Sequence, residues 1–140
     1  MTKLKESRKI FSGLEKFLHE QKVARFNSLA PSGEIHSVPI CYAFDSGVFY
    51  FHCANPNLKR WKNLKRRSVV SVEVDHYSDD WSQLRGVLVY GTAAFVFGGD
   101  EQMRGLSFLK EKYSQYERLP DSTPVVRFQP TSIISWLPKI

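Results

Sequence analysis

The chain has 140 residues, the usual size of one domain, and its content of 42% hydrophobic and 14% aromatic residues excludes an intrinsically disordered protein. Its net charge of +6 favours anionic partners, which include a phosphorylated cofactor, nucleic acid and a membrane surface. No apolar run approaches the length of a transmembrane helix, and residues 1–8 lack the apolar core of a signal peptide. We therefore expect a cytoplasmic protein without a membrane span.

The first third of the chain predicts one helix and an antiparallel meander. Residues 3–20 have the apolar period of an amphipathic helix. Three strands are then predicted over residues 23–30, 35–44 and 48–53, separated by two short turns that contain glycine. Because Pro39 cannot donate a hydrogen bond to a neighbouring strand, we expect an edge or a bulge at that position.

A basic segment follows at residues 55–67. Asn55 suits the N-cap of a helix and Pro56 suits its first position. Because a helix amino end offers free amides and the positive end of the helix dipole, the segment is a candidate phosphate site, although charge runs are also typical of solvated surface. Lys65 and Arg67 lie away from the amino end, so we expect them to be solubilising. The six cations are Lys59, Arg60, Lys62, Lys65, Arg66 and Arg67.

The rest of the chain adds strands and one more helix. A strand is predicted at 70–75, with three valines on one face, and a long strand at 84–97, where Gly91 indicates a bend or bulge. A helix follows, and residues 124–128 and 132–137 are predicted to form a closing hairpin. This pattern predicts a single domain over residues 1–140 that is mainly β (α+β): a six- to seven-stranded antiparallel small barrel with peripheral helices, because closure removes exposed edges.

The chain's two cysteines, Cys41 and Cys53, lie in apolar strand patterns, so we expect buried free thiols. A metal site formed by these cysteines with His36 and His52 is not expected, because the short ligand spacing of zinc sites is missing.

The order of these motifs resembles that of the pyridoxamine 5'-phosphate oxidase-like split barrels. The resemblance covers residues 22–137, and the stretch at 74–81 is similar to a subgroup assigned to the deazaflavin coenzyme F-420. The segments that carry it are residues 23–29 with Gly33 and 36–40, the basic segment with Lys59, Arg60 and 62–64, the strands at 71–75 and 90–93, and Arg127, Pro130 and Trp136.

The resemblance implies a split β-barrel homodimer with two cofactors in grooves between the subunits. Members of the family bind FMN or the deazaflavin, many are oxidoreductases, and others bind haem. Where relatives carry a basic residue just after the proline, this chain has Asn57. The positions implied to bind the cofactor are Ser28, Val38 and Pro39 beside the ring, Cys53 where the third predicted strand approaches it, Lys59 or Arg60 at the phosphate, and Asn63 in support of that cation.

Three functions follow as hypotheses. The first is a flavin- or deazaflavin-dependent oxidoreductase of unknown substrate, in which the ring does the redox chemistry and no side chain is an essential acid or base. The second is a module that carries flavin or haem without turnover. The third is a basic small barrel that binds nucleic acid. The basic run counts against it, because it is a single short helix. A homodimer is also expected because Phe49, Phe51, Phe95 and Phe97 offer more aromatic surface than a small core needs.

Overall fold

The computed structural model of the protein describes residues 9–136, which form a curled seven-stranded antiparallel sheet with helices around it. The predicted mainly-β split barrel is therefore confirmed. The order of strands across the sheet is β2-β1-β5-β6-β7-β4-β3, so within these residues β2 and β3 are the two edges. The strands are β1 Ala24–Leu29, β2 Ile35–Ile40, β3 Ala43–Asp45, β4 Val48–His52, β5 Val69–His76, β6 Arg85–Val96 and β7 Val125–Trp136.

Among the described residues, the α-helices that lie wholly within this range are α1 Glu15–Glu20, α2 Lys59–Arg66 and α3 Asp100–Lys112, on the periphery of the sheet. Short 3₁₀ turns are present at Trp81–Gln83 and Ser114–Tyr116. None of the helices in the described part of the chain is long and apolar enough to cross a membrane.

The predicted amino-terminal helix is interrupted within the described residues. Residues 3–8 of the prediction lie outside the described residues, and the remainder is interrupted at Gly13, whose φ of 79° is incompatible with an α-helix. The segment is fastened to the sheet by Arg85, which donates to the Gly13 carbonyl at 2.9 Å and lies 5.0 Å from the centre of the Phe17 ring.

The predicted strand at 35–44 is divided into β2 and β3 by a tyrosine pair. The backbone N–H of Tyr42 donates to the Tyr113 hydroxyl at 3.1 Å, and that hydroxyl donates to the Lys22 carbonyl at 2.7 Å. Because the Tyr42 backbone is bonded to a side chain, it does not continue the strand. Pro39 lies on β2, an edge strand, as expected.

The predicted closing hairpin is wrong, because residues 125–136 form one continuous strand along β6. Where the sequence predicted the turn of this hairpin, the structure has a β-bulge. Gly91 pairs with Pro130 and Tyr90 pairs with Ser132, which leaves Thr131 as an extra residue. The Thr131 hydroxyl donates to the Tyr90 carbonyl at 3.1 Å. The irregularity predicted from Gly91 is thus present. Because β6 is twelve residues long, β7 continues to pair with it beyond the bulge.

The main core fills the concave side of the sheet. The predicted valine face of β5 is confirmed, since Val70, Val72 and Val74 are all buried. Helix α2 closes this side with Trp61 and Leu64, both buried. Helix α3 packs separately over β3 and β4, which leaves the opposite face of β5 and β6 open.

Candidate functional site

The amino end of α2 lies beside the first hairpin of the sheet. The helix begins at Lys59 rather than next to Pro56, so the prediction of Asn55 as its N-cap is wrong. The Asn55 side chain instead accepts from the Asn57 N–H at 3.0 Å and closes a turn before the helix. As a result Lys59 and Arg60 are the first two helical residues.

The first turn of α2 leaves two amides available. The N–H groups of Trp61 and Lys62 both donate to the Leu58 carbonyl at 3.0 Å. The N–H groups of Lys59 and Arg60 have no hydrogen-bond partner within residues 9–136. Free amides at a helix amino end favour an anion, and here they come with two cationic side chains.

A buried hydrogen bond joins α2 to β1 and unites two residues predicted for the site. The Asn63 side-chain amide donates to the Ser28 hydroxyl at 3.1 Å, and the two residues are only 3% and 5% exposed. The hydroxyl faces the helix because Ser28 follows the inward alternation of Ala24 and Phe26 along β1. This bond fixes the position of α2, and with it that of Lys59, relative to the sheet.

The two candidate phosphate cations point in different directions. The Lys59 ammonium lies 3.2 Å from a carboxylate oxygen of Glu34, in the turn between β1 and β2. The Arg60 guanidinium lies 5.9 Å from the centre of the Trp61 ring. Burial, and to a lesser extent the Arg60 charge, lowers the pKa of His52 at the end of β4. Lys59 therefore faces the first hairpin, and Arg60 faces the other side of the helix.

A shallow cleft of about 220 Å³ opens on the convex face of the sheet next to this hairpin. On this face the Asn27 amide donates to the Ser71 hydroxyl at 3.1 Å, across the β1–β5 pair. Apolar side chains make up most of the remaining wall. The lining residues are Asn27, Ser28, Leu29, Ile35, Val69, Val70, Ser71 and Tyr90.

The other predicted site residues are not among those that line the cleft. Val38 is half-buried and packs against the main core, and Pro39 is exposed on β2 opposite Arg25. Cys53 is a buried free thiol in that core, where burial raises its pKa; Cys41 is also free but only partly buried. Within residues 9–136, no three His, Cys, Asp or Glu side chains could hold a metal ion.

Sequence reasoning missed most of the residues that line the cleft. A usable signal was Val69, which is out of phase with the buried valines of β5 and is 60% exposed. Tyr90 and Ile35 are also large apolar residues on the outward face of their strands. When each of three neighbouring strands carries an exposed apolar residue on the same face of a sheet, that face is a candidate binding surface.

The donors present fit a phosphorylated, ring-bearing cofactor. The Lys59 ammonium and the open amides of α2 suit a phosphate, and an apolar slot with one amide–hydroxyl pair suits a planar ring. In addition, His36, which pairs with Ser28 across β1 and β2, has a buried Nδ1 without a hydrogen-bond partner in the described residues. Such an atom is consistent with a partner supplied by a ligand.

The Asn63–Ser28 bond allows a direct test of how α2 is held. Asn63→Ala leaves the Ser28 hydroxyl buried without its donor, so we expect the free energy of unfolding to fall by about 1–3 kcal/mol. Lys62→Ala, one position earlier on the exposed face, should change it by no more than about 0.5 kcal/mol. Urea denaturation of both variants checks this, and equal stability of the two would contradict the role of the bond.

Comparison with known proteins gives a family match over nearly the whole described chain. The family model described as pyridoxamine 5'-phosphate oxidase matches residues 13–134. No curated protein matches the chain at a significant level. The chain therefore belongs to the pyridoxamine 5'-phosphate oxidase family.

Solved structures with the same fold are distant in sequence. A conserved hypothetical protein of Mycobacterium tuberculosis matches with a TM-score of 0.78 and 20% identity, over 90% of this chain and 83% of that one. The haem storage protein HutZ of Vibrio cholerae matches with a TM-score of 0.70 and 12% identity, over 91% and 94%. An F-420 reductase matches with a TM-score of 0.66 and 18% identity, over 87% and 96%.

Proposed function

We propose that this chain, as a member of the pyridoxamine 5'-phosphate oxidase family, is a cytoplasmic single-domain oxidoreductase that binds FMN or the deazaflavin coenzyme F-420. The observation that carries the proposal is the position of Lys59. It stands at the open amino end of α2, and its partner Glu34 directly precedes Ile35, which lines the apolar cleft. The proposed phosphate site and the proposed ring site would therefore both border the hairpin formed by β1 and β2.

Lys59 is the better candidate for the phosphate. Its pair with Glu34 is solvent-exposed, with side-chain exposures of 52% and 68%. An exposed pair of this kind contributes only about 0.2–1 kcal/mol. Lys59 would therefore leave Glu34 for a phosphate at little cost. Arg60 would act through its open amide and through charge at longer range.

The cleft would hold the ring. Leu29, Ile35, Val69 and Tyr90 supply apolar walls, and the Asn27–Ser71 pair supplies polar atoms that can fix its orientation. The bound cofactor would supply hydride or electron transfer, and these residues would position it and exclude water. Asn63 and Ser28 would support the helix end that carries Lys59.

A homodimer would complete the site. The cleft of about 220 Å³ is smaller than the roughly 300–1,000 Å³ typical of ligand pockets, so a second subunit would have to close it. The aromatic residues first used to predict a dimer do not all support it, because Phe49 and Phe51 are fully buried in the core. The convex face of the sheet offers a better surface, with exposed Val69, Tyr90, Ile134 and Trp136.

Ile134→Glu tests the dimer without altering the cleft. Ile134 is 56% exposed and pairs with Leu88 on the convex face. A carboxylate buried there without a partner should cost at least about 3 kcal/mol, which weakens association by about a hundredfold or more. Light scattering at micromolar concentration should show a dimer for the parent chain and a monomer for the variant. Met103→Glu, at an exposed position of α3, is the control and should stay dimeric. A monomeric parent chain would contradict the proposed homodimer.

Histidine substitution tests whether the cofactor alone carries the chemistry. We expect His19→Gln, His36→Gln, His52→Gln and His76→Gln each to leave turnover within about tenfold of the parent, short of the 10²–10⁴ lost with a general acid–base. His76 is the last residue of β5, where it pairs with Arg85. A much larger loss at any one histidine, with the fold and cofactor binding intact, would make that residue catalytic.

A carrier of flavin or haem without turnover is the second candidate. The structural similarity to a haem storage protein supports it, and burial and the Arg60 charge, which lower the pKa of His52, favour the neutral imidazole that a haem iron requires.

The absorbance spectrum of protein purified from its native source separates the candidates. FMN gives two visible-range bands, the deazaflavin gives one, and haem gives a sharp Soret band. For an oxidoreductase, the flavin-type bands should bleach on addition of a reductant and return with an acceptor. A Soret band, or flavin-type bands that do not respond, would favour the carrier.

A further inference from the structure

Two phenylalanines and several cations form a surface patch where the end of β6 meets α2. We name it the aromatic–cationic patch and define it as Lys62, Lys65, Arg66, Phe95 and Phe97. The Lys65 ammonium lies 5.9 Å from the centre of the Phe95 ring. The end of α2 is fastened to β6 by a hydrogen bond from the Ala93 N–H to the Ser68 carbonyl at 3.0 Å.

The two rings of the patch are stacked and held in place. Phe95 and Phe97 have centroids 6.0 Å apart and planes within 18° of each other. Phe95 is anchored from below by the buried Trp61 at 6.2 Å. Phe97 is 70% exposed, although burial of a phenylalanine would stabilise the fold. The outer ring of the stack is therefore presented to solvent on a rigid base.

The cations of the patch are not neutralised by acids. In the part of the chain that the structure describes, Lys62, Lys65, Arg66 and the adjacent Arg67 form no ion pair, whereas Lys59 on the same helix does. Lys62, Lys65 and Arg66 are neighbours on one helix face by their spacing of three and four residues. Asp100, the first acidic residue after Phe97, begins α3, where the helix dipole favours a carboxylate.

We propose that the aromatic–cationic patch binds single-stranded nucleic acid, with an unpaired base stacked on Phe97 and neighbouring phosphates bound by Lys62, Lys65 and Arg66. An exposed aromatic ring beside cations that follow a backbone is the combination used for sequence-tolerant binding of single strands. The bases of a duplex are already stacked on each other and do not offer a face to Phe97.

An anionic membrane is the less favoured partner. Membrane-surface helices bury a broad apolar face, whereas the exposed side of α2 is cationic and the patch has only two rings. From the sequence, nucleic-acid binding was only the third hypothesis, and Lys65 was expected to be solubilising. The exposure of Phe97, just after β6, and its stacking on Phe95 are visible only in the structure.

Fluorescence anisotropy with a labelled twelve-nucleotide oligothymidine tests the proposal. We expect Phe97→Ala and Phe97→Leu to weaken binding by about tenfold and Phe97→Trp to preserve it, since only an aromatic ring stacks on a base. Met103→Ala, another exposed apolar residue, is the control and should bind like the parent. Equal affinities of the parent and Phe97→Leu, or no binding at all, would overturn the proposal.

The salt dependence of binding tests the cations. Each single-strand phosphate contact contributes about −0.7 to the slope of log affinity against log salt concentration, so the Lys65→Ala, Arg66→Ala double variant should reduce the magnitude of the slope by about 1.4. Lys59→Ala should leave it unchanged, which separates this site from the proposed cofactor site. If the parent chain binds phosphatidylserine vesicles but no oligonucleotide, and Phe97→Ala loses the vesicle binding, the partner of the patch is an anionic membrane and the nucleic-acid proposal is wrong.

Discussion

The double variant Lys59→Ala, Arg60→Ala is expected to bind FMN or coenzyme F-420 about a hundredfold more weakly than the parent chain, or worse. A charge-assisted contact to a phosphate contributes about 1.5–3 kcal/mol, so Lys59→Ala removes up to about 3 kcal/mol and Arg60→Ala adds the loss of a longer-range charge. Since 1.4 kcal/mol is a factor of ten, a loss of about 3 kcal/mol is a factor of about a hundred. Titration of the apoprotein with each cofactor, followed by fluorescence, measures this change directly.

The single variants should divide this loss unequally. Lys59 faces the hairpin that borders the cleft, whereas the Arg60 charge acts on His52 on the other side of α2. Lys59→Ala should therefore account for most of the loss. Glu34→Gln should strengthen binding slightly, because it releases Lys59 from an exposed pair of about 0.2–1 kcal/mol.

The matched control for this experiment is the pair Lys65→Ala, Arg67→Ala. It removes the same charge from the same segment, away from the open amides, so cofactor affinity should change little. If both double variants lose affinity equally, the basic segment acts as a diffuse electrostatic surface and the phosphate site at the amino end of α2 does not exist.

Gly91→Ala is expected to lower the free energy of unfolding by about 3 kcal/mol, the upper part of the range for overpacking. A Cβ at this position would lie 2.2 Å from the backbone carbonyl oxygen of Gln129 on the paired strand. Backbone atoms cannot rotate away as a side chain can, so β6 and β7 would have to separate at the bulge. Thermal unfolding should show a midpoint lower by about 10 °C.

Gly98→Ala is the control for this prediction. No atom lies within 4 Å of a Cβ placed on Gly98, and its φ is not in the left-handed region. We expect its stability to lie within about 0.5 kcal/mol of the parent. A Gly91→Ala variant as stable as Gly98→Ala would mean that the pairing of β6 and β7 at this bulge is looser than described.

The parts of the fold that depend on local alternation were predictable from the sequence. The valine face of β5, the edge position of Pro39 and the irregularity at Gly91 follow from side-chain period and backbone chemistry, and all three are observed. The closing hairpin was not predictable in this way. Pro130 is compatible with a turn or with a bulge, and only the length of the partner strand decides between them.

The candidate residues of the site came in part from the order of motifs along the chain. That order indicated Asn63 and Ser28 separately, and a hydrogen bond joins them in the structure. The start of α2 was misplaced, because the Asn55 side chain can cap a helix or close a turn with equal chemistry. Most of the cleft could not be found from the sequence, since it depends on which outward residues of β1, β5 and β6 become neighbours in the sheet.

The most direct test of the proposed function is native mass spectrometry of the protein from its native source. We expect a dimer of the 16.2 kDa chain that carries two cofactor molecules, which denaturation releases as FMN or coenzyme F-420. A monomer that retains no flavin-type cofactor and takes none up on incubation with either compound would contradict it.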